Sequence, residues 1–375
     1  MKQKAVTSTY IHIPFCSQIC YYCDFSKVLI DYQPVTSYLD ALLREIEQAD
    51  MPAQRTLYIG GGTPTALKAN QLRYLLEGIE ERVDLSKLEE YTIEANPNDL
   101  TDEIVEVIKR SKINRVSIGV QTFNPKLLKK IGRSHSQEDI FAGINRLQKA
   151  GLTNLSIDLI YALPTQTLAD LKETLTLALQ LELPHYSIYS LILESQTVFM
   201  NQYKQGRLLL PDSQLEFEMY ELIRQTLQES GLIHYEVSNF GKLGSESRHN
   251  LVYWNNEEYF GFGAGASGYL NGVRYKNHGP IKHYLTAQTT GLLRVSEEAL
   301  SQKEIMEEEM FLGLRKACGV SLLRFEEKFG VDFFEIYGDI ARELEQKQLL
   351  DLSDGNVKMT SKGLLQGNDV FAAFI

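Results

Sequence analysis

Thr56-Leu57-Tyr58-Ile59-Gly60-Gly61-Gly62-Thr63-Pro64 reads as a short apolar strand that stops in a glycine-rich turn. An amphipathic helical run over residues 71–82 follows it. The same unit recurs on both sides. Strands are predicted at 9–13, 91–95, 115–120, 154–160, 185–191 and 235–239, and helices at 102–112, 137–149 and 168–181. Short, β-branched strands alternating with helices imply βαβ units and a parallel sheet. Units of broadly similar length favour a full or partial TIM-like (β/α) barrel over an open sheet.

The ends of these strands are polar. Residues 60–64, Glu94, Gln121 and Asp158 each stand at or just past a strand's C-terminal end, which in a barrel holds the active site. Taken singly, Glu94 or Asp158 could cap a helix and Arg133 could be a surface charge; their shared face favours function. From 242 to 279 the chain turns aromatic and Gly-rich. Beyond 296 it predicts acidic helices at 297–314, 322–329 and 334–347, a strand at 357–360 and a last helix at 364–374. The expected organisation is a barrel over 1–240, a connecting region over 241–295 and a smaller, mostly helical, winged-helix-like domain over 296–375.

The chain is acidic, with 38 Lys+Arg against 49 Asp+Glu and a formal charge of −11. That argues against nucleic-acid binding, which needs a basic face. Met1-Lys2-Gln3-Lys4 resembles a signal n-region, but Ser8, Thr9, His12 and Pro14 interrupt any apolar segment after it. With no transmembrane stretch either, a cytoplasmic protein with reduced thiols is expected.

Three of the four cysteines fall in Cys16-Ser17-Gln18-Ile19-Cys20-Tyr21-Tyr22-Cys23. Spacings of four and three residues let three thiolates wrap one metal centre. Three ligands are one short of a closed site, which leaves one iron of a cluster free for an outside ligand. The alternative is a structural zinc site completed by His12 or Asp24. Cys318 lies far away, in the C-terminal module, and reads as an ordinary buried thiol.

His249-Asn250-Leu251-Val252-Tyr253-Trp254 is a second constellation and holds the only tryptophan. Histidine is a common axial haem ligand and the rings could flank a porphyrin. The competing reading is a core aromatic cluster around a hydrogen-bonded histidine. Gly263-Ala264-Gly265-Ala266-Ser267-Gly268 fits G-x-G-x-x-G but opens no βαβ unit, so it reads as a close-packed loop.

Tyr10, His12, the cysteine triplet, residues 60–64, Glu94, Gly119-Val120-Gln121, Arg133, Asp158 and residues 249–254 together resemble the radical S-adenosylmethionine superfamily. More narrowly they resemble the branch around oxygen-independent coproporphyrinogen III dehydrogenase, and within it the HemW-type heme chaperones. The resemblance runs over essentially the whole chain. It implies a 4Fe-4S cluster on Cys16, Cys20 and Cys23, whose electron would split S-adenosylmethionine. It implies contacts to that cofactor from Tyr10, Tyr22, Gly61, Gly62, Thr63, Glu94, Gln121, Arg133 and Asp158. It also implies heme contact at His249, Asn250, Tyr253 and Trp254, a heme-acceptor protein and an electron donor for the cluster. If that acceptor is respiratory, the protein would work peripherally at a membrane. No residue is assigned as catalytic, and turnover of S-adenosylmethionine is left open. The alternative function is the dehydrogenase's oxidative decarboxylation. Against it, Phe25 stands where that enzyme has another cysteine, and only nine residues precede Tyr10.

Overall fold

The computed structural model describes residues 5–375; Met1-Lys2-Gln3-Lys4, considered above as a signal n-region, lies outside the described residues. Nine strands build the main sheet: β1 (Ser8–Ile13), β2 (Thr56–Gly61), β3 (Glu90–Ala95), β4 (Arg115–Gln121), β5 (Leu155–Tyr161), β6 (His185–Ser190), β7 (Ile233–Glu236), β8 (Asn239–Gly241) and β9 (Phe260–Phe262). Their order is β9-β1-β2-β3-β4-β5-β6-β8-β7. From β9 to β6 all neighbours are parallel. Among the described residues no pairing joins β9 to β7, so the barrel is partial.

Register separates two faces, because side chains alternate along a strand. Tyr58 stands beside Thr92, Glu94 beside Ser117 and Asp158 beside Ser187, a polar layer turned inward. Ile59, Ile93 and Val116 alternate with them and face outward into the apolar core. Helices cover that face. Gln137–Lys149 buries Ile140, Gly143, Ile144 and Leu147, one stripe at helical spacing. Ser136 and Asp139 form its capping box, and Thr167 with Asp170 does the same for Leu168–Leu179. Each buried Leu or Ile contributes about 1.5–3 kcal/mol, so the outer layer fixes where the strand ends point.

Five expectations need correction. The strand expected at 235–239 is the antiparallel hairpin of β7 and β8. The region 242–279 is not all loop: it holds the helix Arg248–Trp254, and Phe260–Phe262 extends the main sheet beside β1. Residues 297–299, expected to begin a helix, belong to the strand Arg294–Ala299, paired with Val273–Asn277. The helix starts at Gln302, where Ser301 and Glu304 cap it. The last helix is split into Ser361–Leu365 and Gly367–Ala372. Cys318, expected to be buried, is exposed, in the turn that Gly319 N–H closes on the Lys316 carbonyl. The C-terminal helices Gln302–Gly313, Leu322–Phe329 and Phe333–Gln346 pack with a small three-stranded sheet around Met310, Phe325 and Phe333.

Candidate cofactor cleft

A cleft of about 430 Å³ opens over the C-terminal ends of the strands. It is lined by Cys16, Cys20, Cys23, Tyr22, Gly61, Gly62, Thr63, Glu94, Gln121, Arg133, Asp158 and Asn250. The structure therefore brings together most of the residues singled out by sequence. Tyr10, His249, Tyr253 and Trp254 are not on its walls.

The cysteine loop is anchored from several sides. Cys16 lies in a two-residue strand paired with Val28–Leu29. Tyr21 donates its N–H to Ile131 O (3.1 Å) and accepts at its carbonyl from Phe199 N–H (3.0 Å). His12 holds the loop from below. Its Nε2 meets the Ser26 carbonyl at 2.7 Å, so Nε2 is the donor and Nδ1 accepts from Tyr10 Oη at 3.0 Å. Burial drops the His12 pKa to about 4, so the ring is neutral. With both nitrogens engaged, His12 cannot complete a zinc site. Tyr10 sits behind it, stacked on Tyr58 at 6.2 Å.

Two glycines make room. Gly61 adopts φ +115°, where a side chain would be strained, and a Cβ there would lie 2.5 Å from the His12 ring. A Cβ at Gly119 would lie 2.9 Å from Gln121 Nε2 and 3.2 Å from Arg133 Nη2. An irregularity in the β4–β5 register at residues 119–121, with Gln121 at φ +67°, turns the Gln121 side chain into the cleft.

The polar wall is incompletely paired. Arg133 is half-buried; it donates through Nη1 to Asn96 Oδ1 and through Nη2 to Tyr22 Oη at 3.2 Å, while its buried Nε has no partner. Burial opposes its charge, but Tyr22 and the cysteines hold its pKa above the ordinary value. Asn96 in turn donates to Thr63 Oγ1 at 3.1 Å. Glu94 accepts from Tyr58 Oη (2.8 Å) and from Gly61 N–H (3.2 Å), and burial lifts its pKa to about 7. Asp158 accepts from Ser117 Oγ at 3.2 Å and is also raised by burial.

Asn96 and Arg115 line the cleft without having been singled out. Asn96 follows Glu94 by two residues, so the logic applied to strand ends reaches it. Arg115 begins β4 at the opposite end, and only its long side chain brings it in; no sequence signal marks it.

His249 is fully buried under the wall. Nδ1 lies 2.9 Å from Thr56 Oγ1, Nε2 lies 2.8 Å from Tyr253 Oη, and the ring stacks on Tyr58 at 5.2 Å. Burial takes its pKa down to about 3. Tyr253 packs edge-on to Tyr259, and Trp254 lies under the Arg315 guanidinium at 4.7 Å. Of this segment, only Asn250 reaches the cleft. The Gly263–Gly268 loop packs beneath the cysteine loop: Gly263 N–H donates to Glu45 at 2.9 Å, and Gly265 N–H to the His278 carbonyl.

The donor set suits an iron–sulfur cluster. Three thiols share one cleft, and burial pushes the Cys16 pKa up to about 12, so its thiolate needs a cation beside it. Among the described residues, no three His, Cys, Asp or Glu side chains already stand at ligating distance. The unpaired Arg133 Nε and the acids opposite it suit a zwitterionic ligand next to that cluster.

A three-cysteine loop over the polar mouth of a partial (β/α) barrel defines the radical S-adenosylmethionine class, and the profile of the Radical SAM superfamily matches residues 10–178. That of the HemN C-terminal domain matches residues 300–365. The chain is 53% identical over 368 residues to the Lactococcus lactis heme chaperone HemW, spanning 98% of this chain and 97% of that one. It is 47% identical to the Bacillus subtilis heme chaperone HemW, over 98% and 99%. The chain belongs to the HemW heme-chaperone family. Its fold matches that of the Escherichia coli coproporphyrinogen III oxidase HemN with a TM-score of 0.83, covering 99% of this chain and 90% of that one at 23% identity. The superfamily's resident groups are a 4Fe-4S cluster and S-adenosylmethionine, and the cleft fits both. No helix among the described residues is long and apolar enough to cross a membrane.

Proposed function

We propose that this protein is a heme chaperone that takes up heme beside a 4Fe-4S cluster and S-adenosylmethionine and passes it to an acceptor protein. The observation that carries this reading is the convergence of the cysteine loop and the unpaired polar wall on one cleft, in a chain of the HemW family. Cys16, Cys20 and Cys23 ligate the cluster. Arg133 presents its planar fork to the methionine carboxylate, which two parallel N–H donors match. Gly61, Gly62 and Thr63 receive the amino group and neighbouring atoms, while Glu94, Gln121 and Asp158 bind the ribose hydroxyls and the ammonium end. Tyr22 closes the side next to Arg133, and Tyr10 supports His12 from behind. When bound, the cluster and cofactor supply one-electron chemistry at a sulfonium.

His249 acts here as a positioning residue: it fixes the helix Arg248–Trp254 so that Asn250 faces the cleft, with Tyr253 and Trp254 as the packed back of that helix. The protein works in the cytoplasm, draws on an electron donor for the cluster, and meets a membrane only through a respiratory acceptor. Anaerobic titration of the reconstituted protein with heme and with coproporphyrinogen III tests the reading. Heme should bind and move to an apo-acceptor, and coproporphyrinogen III should remain unchanged. Steady protoporphyrinogen formation would overturn it in favour of oxidative decarboxylation.

A further inference from the structure

A heme carrier needs an imidazole that incoming iron can reach, and the structure sorts the seven histidines by that criterion. His12, His185 and His249 have both ring nitrogens engaged. His135 is buried with Nε2 on the Val120 carbonyl at 3.1 Å. His234 gives Nε2 to the Val237 carbonyl at 3.2 Å and stacks on Phe240 at 4.4 Å. His278 and His283 remain. Their rings meet edge-on at 6.2 Å, His283 is exposed and His278 half-buried, and neither ring nitrogen is hydrogen-bonded among the described residues.

The backbone next to His278 is tied to the segment just past the cysteine loop. Ser26 Oγ donates to the Gly279 carbonyl at 3.4 Å, three residues after Cys23. The backbone there is clamped: His278 N–H donates to Leu293 O at 3.2 Å, and its carbonyl accepts from Gly265 N–H at 2.9 Å. Phe25, at the rim of the cofactor cleft, is 65% exposed and Leu292, next to Leu293, is 71% exposed. Such exposed apolar side chains on a fixed frame suit a flat apolar ligand. Lys276 and Lys282 flank the two histidines, are exposed, and make no ion pair among the described residues.

We propose that His278 and His283 form the port at which heme iron is ligated, with Phe25 and Leu292 against the porphyrin and Lys276 and Lys282 toward its propionates. A porphyrin carries both chemistries, an iron that takes imidazole and two carboxylates that take ammonium. The inference rests on the heme-carrier reading and locates its cargo. Nothing is oxidised or reduced: an imidazole nitrogen donates its lone pair to the iron.

The test is hemin titration of the cluster-reconstituted full chain, followed through the Soret band, for wild type, His278→Ala/His283→Ala and His249→Ala. Wild type should show the imidazole-ligated spectrum. The double variant should lose that spectrum and weaken binding by at least about tenfold, recover the spectrum with added imidazole, and melt as wild type does. His249→Ala should keep it. A double variant that titrates like wild type overturns the port while leaving the carrier reading intact. A wild type that binds no hemin overturns the carrier reading, and the port with it.

Discussion

The cleft wall and His249 on the helix Arg248–Trp254 both sit among buried polar and aromatic groups, yet they use their hydrogen-bonding capacity in opposite ways. On the wall, Arg133 keeps a buried Nε without a partner, and Glu94 and Asp158 stand with pKa values raised by burial. In the helix, His249 spends both nitrogens on Thr56 and Tyr253, while Trp254 Nε1, under the Arg315 guanidinium and off the cleft walls, is buried without a partner. Buried polar groups are normally satisfied. Capacity left over in a cleft therefore points to a ligand, and capacity fully used points to architecture. Composition does not separate the two; partner geometry does.

The comparison breaks first if the cysteine loop fails to hold metal. Cys16→Ala removes the most buried of the three thiols. After anaerobic reconstitution this variant should lose nearly all cluster iron and sulfide, read by elemental analysis and by the visible absorption of the cluster. Full iron retention would make the wall's unpaired groups incidental.

The second effect concerns the helix. His249→Ala leaves Thr56 and Tyr253 without their partner and opens a void among Tyr58 and Tyr253. The loss of two buried hydrogen bonds and of packing should cost about 3 kcal/mol of stability, measured by denaturant unfolding. A variant as stable as wild type would mean that the ring is not architectural.

Third, Arg133→Lys keeps the charge and loses the fork. A charge-assisted bond contributes about 1.5–3 kcal/mol, so S-adenosylmethionine affinity should fall by about tenfold to a hundredfold, read by calorimetry on the cluster-loaded protein. Unaltered affinity would remove Arg133 from the cofactor site.

Much of this contrast is legible in sequence on one side only. β2 to β5 are marked by apolar runs between capped helices. Glu94, Gln121 and Asp158 follow from strand ends, because one fold rule places every such end around one opening. The saturation of His249 is hidden, since Thr56 lies 193 residues away and only folding puts it at 2.9 Å. β9 is three residues long and finds its partner β1 across most of the chain. Arg294–Ala299, exposed at every position, has no apolar period to reveal a strand; the edge of Val273–Asn277 decides it.

The smallest expected effect isolates one acid of the wall. Glu94 ordinarily titrates near 4.5, and burial lifts it to about 7 in the folded chain. Between those values the folded state keeps a proton that the unfolded state gives up, so this group's contribution to stability falls as pH rises from about 4.5 to about 7 and is constant above. Glu94→Gln removes the titration while preserving shape. The buried histidines titrate in both proteins and largely cancel in the difference; Asp158, whose charge raises the Glu94 pKa, cancels only in part. Part of the gain is offset, because one oxygen that accepted from Tyr58 or Gly61 becomes an amide donor. Across that window the variant should gain about 3 kcal/mol relative to wild type; less that constant offset, it should stand about 1–2 kcal/mol above wild type at pH 7 and beyond. Denaturant midpoints at pH 5, 6, 7 and 8 in ligand-free protein read the difference. A constant offset across all four would show that the Glu94 carboxyl carries no burial penalty, and the cleft wall would then be as settled as His249 behind it.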